Sequence, residues 1–154
     1  HTPFQWEAQI TPEEYMRRVH LLQNELHSKA VDYRYHGSDL SYLEAVLARG
    51  DRKLCDAIYA AWKKGCTLDS WDEHFRYDLW QEAFAECGIE TAFYANRRRS
   101  YDEVLPWSHL DYYVSHDFLV RENKKAHQAQ TTRNCKEGCS GCGVKKDCGG
   151  VYCG

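Results

Sequence analysis

The sequence predicts a mainly α chain with one or two short strands: a helical domain followed by a cysteine-rich, metal-held tail. Three observations carry this. Apolar residues recur at helical spacing between clean capping signals over residues 11–128. Only two brief stretches, near 31–36 and 89–94, read as extended. The tail places five of the eight cysteines, at 135, 139, 142, 148 and 153, among glycines and lysines with almost nothing apolar. Such a stretch cannot order itself by burying a core, so a metal is the natural support.

The elements follow in order. Residues 1–6, His-Thr-Pro-Phe-Gln-Trp, form an extended, aromatic, proline-containing opening. Thr11 suits an N-cap, Pro12 the first turn, and Glu14 completes a capping box. Tyr15, Val19, Leu22 and Leu26 then make a helical stripe running to about residue 29. Residues 31–36 alternate and read as a strand that Gly37 ends. Ser38 or Asp39 caps a second helix through Leu40, Leu43, Val46 and Leu47, with Gly50 as its stop. Asp51 opens a third, with Leu54, Ile58, Tyr59 and Trp62 on one face and Gly65 at its end. These two helices are expected to form a hairpin. Residues 66–75 read as an irregular aromatic and acidic loop, and 77–87 as a helix stopped by Gly88. Ser115 caps a last helix to about residue 128, and 129–154 are linker and tail.

At 154 residues the chain has room for one domain plus an appendage. It is 43% hydrophobic and 14% aromatic, enough for a core and against disorder. No apolar run approaches the ~18 residues of a membrane span, and no signal peptide is visible, so the expected location is the cytoplasm, with reduced cysteines and no membrane partner. A start at His1 rather than Met leads us to expect a fragment or a processed chain. The net charge of −3 hides an asymmetry: residues 1–96 carry 10 Lys/Arg against 16 Asp/Glu, and residues 97–154 carry 10 against 7. The basic side concentrates at Arg97-Arg98-Arg99 and between Arg121 and Lys146. We read it as a solvated face, with phosphate contact as the alternative.

The tail carries the strongest chemical signal. Cys139, Ser140, Gly141, Cys142 and Gly143 make a C-x-x-C-G turn in which two thiolates can converge on one ion. Gly141 and Gly143 permit the positive φ that such a turn needs. Backbone N–H groups within it can point at the sulfurs. Cys135 adds a third thiolate, and Cys148 or Cys153 a fourth, so four of these five cysteines suit zinc or an iron–sulfur cluster. Disulfides or unliganded thiols are the alternatives. Elsewhere, Asp72, Glu73 and His74 gather two carboxylates and an imidazole in a loop between Trp71 and Trp80. They are candidate acid–base residues, with the tryptophans as pocket walls. The segment 101–107 reads as a docking strip anchored by Leu105 and Trp107, with Asp102 and Glu103 in solvent or paired with Arg97–Arg99. His109 and His116 read as ordinary hydrogen-bonded residues, and Cys55 and Cys87 as small buried ones.

Several ordered motifs resemble one bacterial family. They are H-T-P-F-Q-W-E-A-Q at 1–9, Y-L-E-A-V-L-A-R-G-D-R-K-L at 42–54 and W-D-E-H-F-R-Y-D-L-W at 71–80. They continue with A-F-Y-A-N-R at 92–97, S-Y-D-E-V-L-P-W at 100–107 and the cysteine tail. Together they resemble uncharacterised radical SAM proteins with a cobalamin-binding-like N-terminal domain. The resemblance covers nearly the whole chain. It implies that residues 1–10 end a truncated radical SAM region, that 11–128 form a C-terminal accessory domain and that 129–154 bind an accessory iron–sulfur cluster or Zn2+. S-adenosylmethionine and its 4Fe–4S cluster would belong to the full-length protein alone, and this fragment alone would not be catalytic. The C-x-x-x-C-x-x-C order matches the cluster triad of radical SAM enzymes, but no barrel follows it, so it is not read as the SAM-binding cluster. One departure matters: where the family's tail is expected to carry a further Cys soon after G-C-G-V, this chain has Lys145 and Lys146, and Cys148 has to substitute. The implied partners are the barrel and N-terminal domain of that protein, with RNA or a translation component as a further partner. The alternative class is a zinc-stabilised module that contacts RNA or a partner protein through its basic C-terminal third.

Overall fold

A computed structural model describes residues 2–144, and among them the chain is mainly α. The helices are α1 (Pro12–Glu25), α2 (Ser38–Ala48), α3 (Leu54–Lys63), α4 (Tyr77–Glu86), α5 (Thr91–Ala95) and α6 (His116–His127), and no strand occurs among the described residues. Contacts divide the chain into two compact units. One is Ala8–Arg98, holding α1 to α5; the other joins residues 2–7 to 99–144 and holds α6.

The larger unit is built around α3 and α4. Leu54, Ala57 and Ala61 of α3 are buried against the Trp80, Ala83 and Phe84 side of the core. Alanines at the contact let the two helices approach closely, which sets which face goes inside. The expected face therefore needs correction. Ile58, Tyr59 and Trp62 lie outside, 46%, 55% and 58% exposed, with Tyr59 and Trp62 stacked at 5.7 Å. The expected α2–α3 hairpin is also replaced: α3 packs chiefly on α4, and α2 on α5 and α1. Tyr42 and Arg49 of that neighbourhood tie it down, the Tyr42 hydroxyl donating to Asn96 Oδ1 (2.7 Å) and Arg49 Nε to the Tyr94 carbonyl (3.0 Å). Residue 9 is clamped to the end of α5 by the Gln9 N–H to the Ala95 carbonyl (2.8 Å) and Asn96 Nδ2 to the Gln9 carbonyl (2.9 Å).

Helix ends account for the remaining differences. Thr11 accepts from the Glu14 N–H (3.3 Å), as a cap should, but the Glu14 carboxylate pairs with Arg17 and Arg18. That pairing holds the Glu14 carboxyl down to about 2. The first helix stops at Glu25, short of residue 29; only Val19 of its stripe is buried, with Leu22 and Leu26 41% and 39% exposed. Without a packing partner the last apolar turn gains nothing from continuing. The strand expected at 31–36 is absent because no neighbouring strand pairs with it; Tyr33 and Tyr35 stack on each other instead. Most of the extended run expected at 89–94, from Thr91 on, is helix α5. It starts after Gly88, whose φ of +62° closes α4 with the Ile89 N–H on the Phe84 carbonyl and the Gly88 N–H on the Ala85 carbonyl. Gly37, not Ser38 or Asp39, occupies the N-cap of α2.

The smaller unit centres on Trp6, which is fully buried with Leu105 and Leu119. The N-terminal strip is held at several points. The Arg99 N–H donates to the Trp6 carbonyl (2.8 Å) and Trp107 Nε1 to Gln5 Oε1 (2.8 Å). Asn123 on α6, also fully buried, donates to the Pro3 carbonyl (2.8 Å) and Glu7 Oε1 (2.9 Å) and accepts from the Tyr101 hydroxyl. His127 meets the same Glu7 oxygen at 2.8 Å. Ser115 caps α6 as expected, accepting from the Phe118 N–H.

Two outcomes test this account. Asn123→Ala removes the acceptor of Tyr101 and the donor to Pro3 and Glu7, and is expected to cost about 2–3 kcal/mol in denaturant unfolding; a loss below about 0.5 kcal/mol, typical of a surface site, refutes the clamp. Ala129 ends α6 in the left-handed region (φ +53°), with its N–H on the Ala126 carbonyl and the Gln130 N–H on the Lys125 carbonyl. Ala129→Gly keeps both bonds and relieves the strain, so stability should rise by about 0.5–1 kcal/mol, read as a higher thermal midpoint.

Candidate functional site

The tail turn is assembled within the smaller unit. Asn134 shapes its entry: its Oδ1 accepts from the N–H groups of Lys136 (2.9 Å) and Glu137 (3.2 Å), which fixes the turn that carries Cys135. Gly138, Gly141 and Gly143 follow at φ +152°, +68° and +109°. The positive φ expected of Gly141 and Gly143 is therefore present. So is the expected polar contact to sulfur: the Gly141 N–H points at Cys139 Sγ at 3.4 Å.

Helix α6 supplies the floor. The Ser115 N–H donates to the Cys142 carbonyl at 2.8 Å, and the Arg121 guanidinium donates to the Ser140 carbonyl. Gly143 sits where a Cβ would come within 3.0 Å of the Tyr113 carbonyl and 3.1 Å of the Ser115 nitrogen. Glycine is required there twice, by φ and by space. The linker is fastened too: Lys125 Nζ donates to Thr132 Oγ1 (2.8 Å), which donates to Glu122 Oε2 (2.6 Å).

The cysteines differ in setting. Cys135 and Cys139 are exposed and Cys142 is half-buried, while Cys148 and Cys153 lie outside the described residues. Among the described residues no three His, Cys, Asp or Glu side chains are grouped as a metal ion would need. The turn thus suits thiolate ligation, and the described residues do not complete a ligand set.

The other candidates are placed without ambiguity. Asp72, Glu73 and His74 are all exposed, in a turn held by the His74 and Phe75 N–H groups on the Trp71 carbonyl (2.8 and 3.1 Å). The two tryptophans do not wall a common pocket, because Trp71 is 60% exposed and Trp80 lies in the core. Cys55 is exposed and Cys87 half-buried, so neither is the buried residue expected; Cys66 is the one in the core. Burial pushes the Cys66 thiol up, and Asp69 and Asp78 add to it, which makes it a poor nucleophile. Of the three arginines at 97–99, Arg99 is buried and approaches Glu103 (3.7 Å), and Arg97 lies over Phe93 at 4.4 Å. Arg97 and Arg99 are therefore engaged within the fold, while Arg98 is exposed. His116 Nε2 meets the Tyr101 carbonyl at 3.0 Å, an ordinary structural bond.

Sequence reasoning missed a cleft of about 170 Å3 in the smaller unit, walled by Trp6, Leu105, Trp107, Tyr112 and Leu119. The signal was present in the aromatic spacing of 101–113, but Trp6 could be joined to it only by the fold. No known family, curated protein or solved structure was found to match this chain.

Gly143→Ala tests whether the turn is docked by its glycine. We expect the turn to leave Ser115 and the Cys142 thiol to alkylate faster, while the helical content stays unchanged by circular dichroism. An unchanged alkylation rate refutes the docking.

Proposed function

We propose that this chain is the C-terminal accessory region of a radical SAM enzyme and that its tail holds an accessory metal group through thiolates. The single observation that supports this best is the 139–143 turn. Its glycines have the positive φ that lets Cys139 and Cys142 share an ion, an N–H already faces Cys139 Sγ, and helix α6 holds its backbone. An all-sulfur set, completed by Cys135 and by Cys148 or Cys153, suits either zinc or an iron–sulfur cluster. Zinc would add structural hold; a cluster would add electron transfer. What the chain itself contributes is the shaped turn and the Arg121 guanidinium beside the Ser140 carbonyl.

The family assignment rests on the motifs quoted from the sequence, and the barrel, S-adenosylmethionine and its 4Fe–4S cluster are part of the proposal for the whole enzyme, as is a cytoplasmic location. No helix of the described residues is long and apolar enough to cross a membrane. The exposed Asp72, Glu73 and His74 fit an acid–base role only if another part of that enzyme covers them. The second reading, a zinc-held module that grips RNA or a partner protein with its basic third, is favoured by the +3 balance of residues 97–154. It is weakened by the structural use of Arg97 and Arg99.

Metal content of chain purified without oxygen decides between these. Iron and sulfide with broad visible absorption support the enzyme part; one colourless zinc with salt-dependent RNA binding supports the module. Cys139→Ser and Cys142→Ser should each lose the metal and Cys55→Ser should keep it. Equal metal in wild type and Cys142→Ser overturns the proposal.

A further inference from the structure

Residues 31–36 keep the pattern of a strand but lack the neighbour that would make one. Both of its alternating faces are present in the structure. Tyr33 and Tyr35 stack at 5.9 Å, and Arg34 Nε donates to Asp32 Oδ2 at 2.7 Å. Side chains two residues apart meet in this way on an extended backbone, because they leave it on the same side. One face is therefore Val31, Tyr33 and Tyr35, and the other Asp32, Arg34 and His36.

The backbone of this stretch is unused. Among the described residues, no backbone N–H or C=O of residues 32–35 has a hydrogen-bond partner, and the His36 carbonyl takes only the Tyr15 hydroxyl (2.9 Å). That contact brings the stretch back to the start of α1. The helix from Tyr15 to Glu25 spans about 15 Å, and an extended chain from Val31 to His36 about 16 Å, so the stretch retraces the helix. It is exposed at every position but Tyr33, which is half-buried. Val31 and Tyr35 are 50% and 44% exposed, and the adjoining end of α1 exposes Leu21, Leu22 and Leu26 besides. An extended edge with free N–H and C=O groups is a template for another strand.

The order of side chains says which strand. Antiparallel pairing about a two-fold axis at Tyr33 sets residue 32 opposite 34 and residue 31 opposite 35. On the polar face, Asp32 then meets the partner's Arg34, and Arg34 meets the partner's Asp32. On the apolar face, Val31 meets the partner's Tyr35 and the two Tyr33 rings meet each other. Such opposite-charge and aromatic pairs stabilise an antiparallel ladder. Other registers lose them. An axis at Asp32 or Arg34 sets like charge against like, and an axis between residues sets the polar face against the apolar one.

We propose that residues 31–36 are a dimerisation edge, pairing antiparallel with the same stretch of a second copy of this chain about a two-fold axis at Tyr33. The Asp32–Arg34 bond within the chain is exchanged for two between chains, so no ion pair is lost, while the free backbone groups and the exposed apolar side chains gain partners. The edge lies in the larger unit and owes nothing to the tail cysteines or their metal.

The test is the mass of the full chain by sedimentation equilibrium over a range of concentrations, in reductant so that exposed cysteines do not join the copies. The expected result is a reversible equilibrium between monomer and dimer. Asp32→Arg and Arg34→Asp each replace two opposite-charge pairs with two like-charge pairs. Each should weaken the dimer about tenfold and leave the helical content unchanged, since both side chains are exposed. An equimolar mixture of the two variants should recover the wild-type affinity as a heterodimer, because every pair between 32 and 34 is again opposite in charge. Amide hydrogen exchange within residues 32–35 should slow as the wild-type dimer forms. A chain that stays monomeric at about 1 mM, a dimer indifferent to both substitutions, or variants that do not recover on mixing overturns the proposal.

Discussion

Burial of Asn123 and Trp6 is the constraint on which the smaller unit depends. A fully buried amide must spend its hydrogen bonds inside, because no water reaches it. Asn123 spends them on Pro3, Glu7 and Tyr101, which draws the two ends of the unit together. With residues 3 and 7 fixed, Trp6 between them goes into the core against Leu105 and Leu119. One turn further along α6, His127 meets the same Glu7 carboxylate. The polar network gives register and the indole gives apolar area; neither would order a six-residue strip alone.

The larger unit obeys a different rule. Its helices are short, ten residues in α3 and α4, too short to be stable in isolation. They persist because Ala57, Ala61 and Ala83 let them pack closely and because left-handed residues end them cleanly. Gly65 and Gly88 close α3 and α4 in the same hydrogen-bond pattern that Ala129 closes α6. Sharp ends let the chain reverse within a few residues. The same close packing turns Ile58, Tyr59 and Trp62 outward.

The tail borrows its order from α6. Its turn has no apolar content, yet Ser115 and Arg121 hold its backbone at the Cys142 and Ser140 carbonyls, and Lys125 and Glu122 hold the Thr132 hydroxyl of the linker before it. A helix presenting such anchors orders a turn that has no core of its own.

The chain by itself determined its class and its punctuation. Thr11 and Ser115 are caps in the structure because their hydroxyls accept from the N–H three residues on, a local event that sequence spacing reveals. Gly65, Gly88, Gly141 and Gly143 likewise announce left-handed turns, since few other residues tolerate them. What tertiary structure alone decided was choice between faces and partners. Residues 31–36 alternate as a strand does but have no strand to pair with among the described residues, and residues 91–94 are helix. On α3 two apolar faces competed, and the small one won because it packs closer to α4. Asp72, Glu73 and His74 share a loop yet stay exposed, whereas Trp6 and Trp107, a hundred residues apart, share a cleft. Local hydrogen bonds are written in the order of residues; burial depends on what else arrives at the same place.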